Sequence, residues 1–186
     1  MALGESYLTL AVLKARLNIV DDGDDNALTG ALAAASRGVN QFCARQFNQA
    51  ETASTRHYEP LTSGLLVVDD FHTTDDLVIG GDAFDADTHA LEPADGIVDG
   101  EPGWPYWRIR GSGFSGRVAV TAHWGWAAVP TSVVEATFIT AVELFKLKDA
   151  PFGIQGQADM GLIRIRENHR ITTMLAPYRR RVVAVA

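Results

Sequence analysis

The chain has 186 residues, of which 47% are hydrophobic and 21% charged, and it carries a net charge of −7 with one cysteine. That length and balance suit one globular domain, or one domain with an insertion, and exclude an intrinsically disordered chain. The single Cys43 excludes an internal disulfide framework and fits a reducing compartment, and the acidity argues against a general nucleic-acid binder, because affinity for phosphate comes from clustered Lys and Arg.

The charge is unevenly spread. Residues 1–50 hold four basic and five acidic side chains, 51–145 hold four and fifteen, and 146–186 hold eight and three, so an acidic middle precedes a basic tail. No basic region followed by an apolar run opens the chain. The charge-free run from Val118 to Val134 is broken by His123, Gly125 and Pro130 and is too short to span a bilayer. A soluble protein with no membrane partner is expected.

Tyr7-Leu8-Thr9 leads into a short helix capped by Thr9, with Leu10, Leu13 and Leu17 on one stripe. Asp21-Asp22-Gly23-Asp24-Asp25 ends it and places carboxylates at the entry of the next helix, where the dipole favours them. The run lacks the later glycine and the distal glutamate of a calcium loop, so it reads as a turn and cap. A second helix, about Asn26 to Phe47, has an apolar stripe in Leu28, Ala31, Leu32, Ala35, Val39 and Phe42. Its exposed face carries only Arg37 and Arg45, which speaks against a helix-turn-helix DNA reader. Cys43, at the edge of the stripe, reads as core.

From Thr52 to Trp126 short extended runs alternate with turn residues: Thr52 to Tyr58, Leu65 to Val68, Leu77 to Ile79, Trp107 to Ile109 and Val118 to Trp124. They predict a small, mostly antiparallel sheet. Gly111-Ser112-Gly113-Phe114-Ser115-Gly116 is formally G-x-G-x-x-G, but a dinucleotide site needs a helix after it, and Arg117-Val118-Ala119-Val120 continues as a strand. A flexible hairpin loop is expected there. The acidic residues Asp69, Asp70, Asp75, Asp76, Asp82, Asp85 and Asp87, with His72 and His89, lie in predicted turns, where Asp bonds its own backbone. Their alternative use is a metal site. No metalloprotease, hydrolase-elbow or P-loop motif occurs, and no cofactor is implied.

Trp124-Gly125-Trp126-Ala127-Ala128-Val129-Pro130 then reads as a strand end and a tight turn before a long helix, with Ser132 and Glu135 at capping-box spacing. This helix has two apolar arcs. Val134, Phe138, Ala141, Val142 and Phe145 form one, and Val133, Ala136, Leu144 and Leu147 the other. The first faces the core. The second needs its own cover, from this chain or from a neighbouring subunit, and is the candidate subunit interface. A loop over 149–157, a short alternating strand from Gly161 to Arg166, and a last helix from about Asn168 that buries Ile171, Met174 and Leu175 and stops at Pro177 complete the chain, followed by a tail at 178–186.

Several of these stretches, in order, resemble the head-to-tail connector (adaptor, or head-completion) proteins of tailed bacteriophages: Tyr7-Leu8-Thr9-Leu10, Gln41-Phe42-Cys43-Ala44-Arg45-Gln46-Phe47, His123-Trp124-Gly125-Trp126, Val129-Pro130, Asp149-Ala150-Pro151-Phe152-Gly153 and Leu175-Ala176-Pro177-Tyr178-Arg179-Arg180. The long acidic middle, Asp69 to Glu101, departs from that pattern. The resemblance implies a roughly twelvefold ring beneath the portal protein, closed by heterologous contacts, with a central channel for the passing genomic DNA. It also implies a downstream tail-completion partner, a place at the head–tail interface of the virion after assembly in the host cytoplasm, and portal docking through Tyr178, Arg179, Arg180 and Arg181.

The sequence thus predicts an α+β chain forming a single domain. Its helical core spans 8–47 and 130–177: two N-terminal helices, one long central helix and a short C-terminal helix. A small antiparallel β insertion occupies 52–126. The expected function is a non-enzymatic structural adaptor. The alternative is a small metal-dependent hydrolase using Asp70, His72, Asp75 and His89 within the 69–89 cluster.

Overall fold

A computed structural model of the chain describes residues 4–147 and 160–180. The described residues divide into two compact units, one running Gln46–Ala128 and the other combining Gly4–Arg45 with the described residues from Val129 to Arg180.

The second unit is helical. Helix α1 (Leu10–Leu17) starts at Thr9, whose hydroxyl accepts from the N–H of Val12 at 3.3 Å, and ends at Asn18 in the left-handed conformation. Lys14 then bridges Asp22 (2.7 Å) and Asp25 (2.6 Å), tying α1 to the start of α2 (Asp25–Cys43). Tyr7 is buried on α2, its N–H donating to Ser36 Oγ at 3.2 Å and its hydroxyl bonding Asn40. Leu28, Ala31, Leu32, Ala35 and Val39 are buried as the periodicity requires, and α2 packs against both α3 (Thr131–Lys146) and α4 (Met160–Glu167).

The first apolar arc of α3 is only partly covered: Ala141 is buried, whereas Val134, Phe138, Val142 and Phe145 are half-buried, and the fully buried face of the helix is Val133, Ala136, Thr137, Thr140 and Ala141. Val134, Phe138, Ala141, Val142 and Phe145 join Leu8, Leu13, Leu28, Leu32 and Ala35 in one cluster. One further feature of this helix differs from the expectation. Its N-cap is Pro130, with no side-chain cap, because Glu135 is drawn to Arg16 of α1 (2.8 Å) instead of closing a capping box with Ser132. It also buries two hydroxyls, Thr137 and Thr140, each donating to a carbonyl one turn back, Val133 O and Ala136 O, at 2.8 Å. Helix α5 (His169–Leu175) completes the unit.

The β unit has seven strands in two antiparallel sheets. In one, β1 (Ser54–Tyr58), β7 (Val118–Ala122), β3 (Val78–Ile79) and β4 (Asp82–Ala83) stand in the order β1-β7-β3-β4; in the other, β2 (Leu65–Phe71), β6 (Tyr106–Arg110) and β5 (Ala90–Glu92) stand as β2-β6-β5. The register is set along β7 by Ser54↔Ala122 to Tyr58↔Val118 and along β6 by Leu91↔Ile109. A bridge between Phe71 and Trp124 joins the sheets, and Leu66, Val68, Phe71, Ile109, Val120 and Trp124 form the heart of a core of their own.

The expected architecture of a helical core with a small β insertion is therefore overturned. Among the described residues there are five α-helices and seven strands in two sheets, and the β unit has a buried core of its own. Strands β4 and β5 escaped the sequence because Asp-Ala and Ala-Leu-Glu have little intrinsic strand preference; cross-strand pairing decides them. The glycine-rich run 111–116 is not a hairpin, since β6 and β7 belong to different sheets; it crosses between them, with Gly111 N–H donating to Gly64 O (3.2 Å) and Phe114 N–H to Ser63 O (3.0 Å). The strand expected at Gly161 to Arg166 is α4: Ile165 is fully buried, but in a helix, because six residues with Leu162, Ile163 and Ile165 apolar are too few for the period to distinguish helix from strand. Among the described residues no helix is long and apolar enough to cross a membrane.

Candidate docking and assembly surfaces

The basic end of the chain is built onto α2. Asn168 caps α5 by accepting from the N–H groups of Arg170 (3.1 Å) and Ile171 (3.3 Å), while its amide donates to Glu143 of α3 at 2.7 Å. Ile171 and Leu175 are fully buried; Met174 is only partly so. A 3₁₀ turn, Ala176–Tyr178, then brings the chain to the end of α2, where Arg180 N–H donates to Cys43 O at 2.8 Å. That carbonyl is one of the helix-terminal acceptors left without an intrahelical donor. The Arg179 guanidinium lies 5.0 Å from the centre of the Phe42 ring, within cation–π range. Burial pushes the Cys43 thiol up to about 12 against the opposing charges of Arg45 and Arg179, so it stays protonated and serves as core.

Of the four residues expected to dock on a portal, Tyr178 and Arg180 are thus half-buried in a strap across the end of α2, and Arg179 is exposed while stacked on Phe42. Arg181 and the rest of the tail lie outside the described residues.

The second arc of α3 is spread over different environments. Val133 and Ala136 are fully buried, on a helix that packs against α2, α4 and α5, and offer no surface to a neighbour. Leu144 joins the cluster of the first arc. Leu147, half-exposed, lines an open cleft of about 550 Å³ at the end of α3, together with Lys146, Arg164, His169, Arg170 and two carboxylates, Glu143 and Glu167. Glu143 is engaged by Asn168, and Glu167 by Arg164 at 3.4 Å. Lys146 and Arg170 have no carboxylate partner among the described residues. Sequence reasoning missed this cleft because its basic residues come from three elements, one of them read as a strand.

The acidic middle does not converge. Asp69 receives the Arg56 guanidinium (2.6 Å) and the Tyr58 hydroxyl (2.8 Å), and Asp70 is buried against Trp126. His72 contacts Gln49, His123 contacts Asp76, and His89 stacks on Phe114 at 5.9 Å. Asp75 sits exposed in a turn. Among the described residues no three His, Cys, Asp or Glu side chains are grouped so that they could hold a metal ion. Between Arg56 and Arg108 the sequence has twelve carboxylates and no Lys or Arg, and Asp82, Asp85, Asp87, Asp95, Asp99 and Glu101 are all exposed.

No model of a known protein family matches the chain, and no curated protein matches it. Among solved structures, it is similar to a chain of the neck of an empty GTA (gene transfer agent) particle computed with C6 symmetry, with a TM-score of 0.58, 16% identity, and coverage of 100% of this chain and 99% of that one. The two share a fold from end to end.

Proposed function

We propose that this chain is a non-enzymatic structural adaptor at the head–tail junction of a tailed phage or phage-like particle, forming a ring beneath the portal and giving the genome a channel. The observation that carries the proposal is the likeness to a particle-neck chain over 100% of this chain and 99% of that one. That neck was computed with C6 symmetry, with which a ring of roughly twelve copies is compatible, twelve being a multiple of six. The acidic β unit suits a channel wall along which DNA slides without sticking, because like charge removes the attraction that phosphate binding needs. The protein would reside at the neck of the virion, after assembly in the host cytoplasm, between the portal and a downstream tail-completion protein.

Docking is assigned to the basic C-terminal segment that begins at Tyr178. One exposed ion pair contributes only about 0–1 kcal/mol, so a single tail could not hold; a ring of tails engaging together can. The strap on α2 would fix where each tail departs. The test is co-sedimentation with purified portal rings of the full chain and of a chain that ends at Arg180 and carries Arg179→Glu, which keeps the Arg180–Cys43 strap while removing the exposed charges. Co-sedimentation of the full chain and its loss on truncation are expected. Equal binding by the shortened chain would move docking elsewhere, and no binding by either would contradict the proposal.

A further inference from the structure

We infer that the basic cleft at the end of α3 receives the acidic β4 loop, Asp82 to Asp87, of the next copy of this chain, the two being the unlike halves of a head-to-tail contact. The inference rests on the ring reading above and specifies its interface. A cyclic ring closes only through a heterologous contact, one face of each copy meeting a different face of the next. The described residues offer such an unlike pair. On the helical unit, the cleft has room for a loop, about 550 Å³, and presents Lys146 and Arg170 without carboxylate partners among the described residues, while its own Glu143 and Glu167 are engaged by Asn168 and Arg164. Arg164 adds a buried Nε with no hydrogen-bond partner among the described residues. Leu147 supplies apolar surface at the same place.

On the β unit, β4 is the terminal strand of its sheet, turned out by Gly80 and Gly81 at φ of 65° and 105°, values that favour glycine. Asp82, Asp85 and Asp87 are exposed there, and none is ion-paired among the described residues. With no Lys or Arg between Arg56 and Arg108, nothing nearby in sequence neutralises them. Asp85 holds the loop's shape by accepting from Asp87 N–H at 2.9 Å, leaving Asp82 and Asp87 to face outward. Contacts of this kind select the partner and the register, and weaken with salt.

The test uses charge reversal on each half: Lys146→Glu with Arg170→Glu in the cleft, and Asp82→Lys with Asp87→Lys on the loop. All four side chains are on the surface, and unchanged melting curves check that folding is intact. Association is read by sedimentation velocity at low salt, and in parallel by ring formation on portal particles, so that a chain that assembles only on the portal is still scored. Each double variant alone is expected to associate on the order of tenfold more weakly than the wild type, because its two halves repel. An equimolar mixture of the two is expected to recover, since every contact in an alternating ring is again between opposite charges. Wild-type association by both variants, or a mixture no better than its components, overturns the inference and leaves the adaptor reading standing. A wild type that forms no ring alone or on the portal removes both. Loss of DNA binding in the cleft variant with association unchanged would assign the cleft to DNA and overturn the inference as well.

Discussion

Asp70 accepts a hydrogen bond at 3.0 Å from the indole N–H of Trp126, with both residues at 5% exposure or less. The backbone of the same aspartate accepts from Gly125 N–H at 2.6 Å, so the end of β2 is sewn to the segment that follows β7. A buried carboxylate bonded in this way contributes about 1.5–3 kcal/mol. Asp70→Ala and Trp126→Phe are each expected to destabilise the protein by about that amount in chemical denaturation. The double variant should lose less than the sum, because removing both partners leaves no orphan.

Gly125 has φ of 98°, and a Cβ there would stand 1.8 Å from Asn48 O. No side chain can shift to relieve a clash with backbone. Gly125→Ala is expected to cost more than about 3 kcal/mol and to separate Gln49 from its bridge to Gly125, read as lost protection of the Ala50 amide, which donates to Trp124 O at 2.7 Å, in hydrogen exchange.

Phe145→Asp places a carboxylate in the cluster of Leu8, Leu28 and Leu32. Loss of the half-buried ring and partial desolvation of an unpaired charge together are expected to cost about 2–3 kcal/mol, lowering the denaturation midpoint of the helical unit. A melting curve like that of the wild type would show that this face of α3 is not inner.

His72 has its proton affinity lowered, first by burial and then by the nearby His123. Its ring Nε2 lies 3.0 Å from the Gln49 amide nitrogen, which suits a neutral ring accepting that bond. The folded pKa is below the unfolded value of 6.5, so the unfolded chain binds the proton more readily. The contribution is complete above that value and falls as pH drops through it toward the folded pKa. Between about pH 7.5 and 5.5 the wild type should therefore lose more stability than His72→Gln, compared by denaturant titration at each pH. Equal slopes would mean that His72 is solvated.

Where one strong local signal decided an element, the sequence was a good guide. Thr9 at its cap and the stripe of Leu28, Leu32 and Val39 lie as their periodicity requires, whereas the first arc of α3 packs on the same cluster only half-buried. What stayed hidden depends on partners far along the chain. Glu135 could be read as a cap until Arg16, distant in sequence, claimed it. Thr137 and Thr140 belong to neither apolar arc, and their burial depends on hydroxyls turned back on the helix's own carbonyls. The His123-Trp124-Gly125-Trp126 stretch could be noticed but not explained: Trp124 donates to Ser54 O at 2.8 Å, Trp126 to Asp70, and Gly125 lets two backbones meet. The cleft was illegible because Lys146, Arg164 and Arg170 acquire a common surface only when α4 folds as a helix against α3.

The most direct measurement of the central claim is electron microscopy of the protein mixed with purified portal rings. An adaptor should appear as an added ring of density coaxial with the portal, on its tail-facing side, with rotational symmetry matching that ring and an open central channel. Portal particles unchanged by a saturating excess of the folded protein, or decorated off-axis without cyclic symmetry, would contradict it.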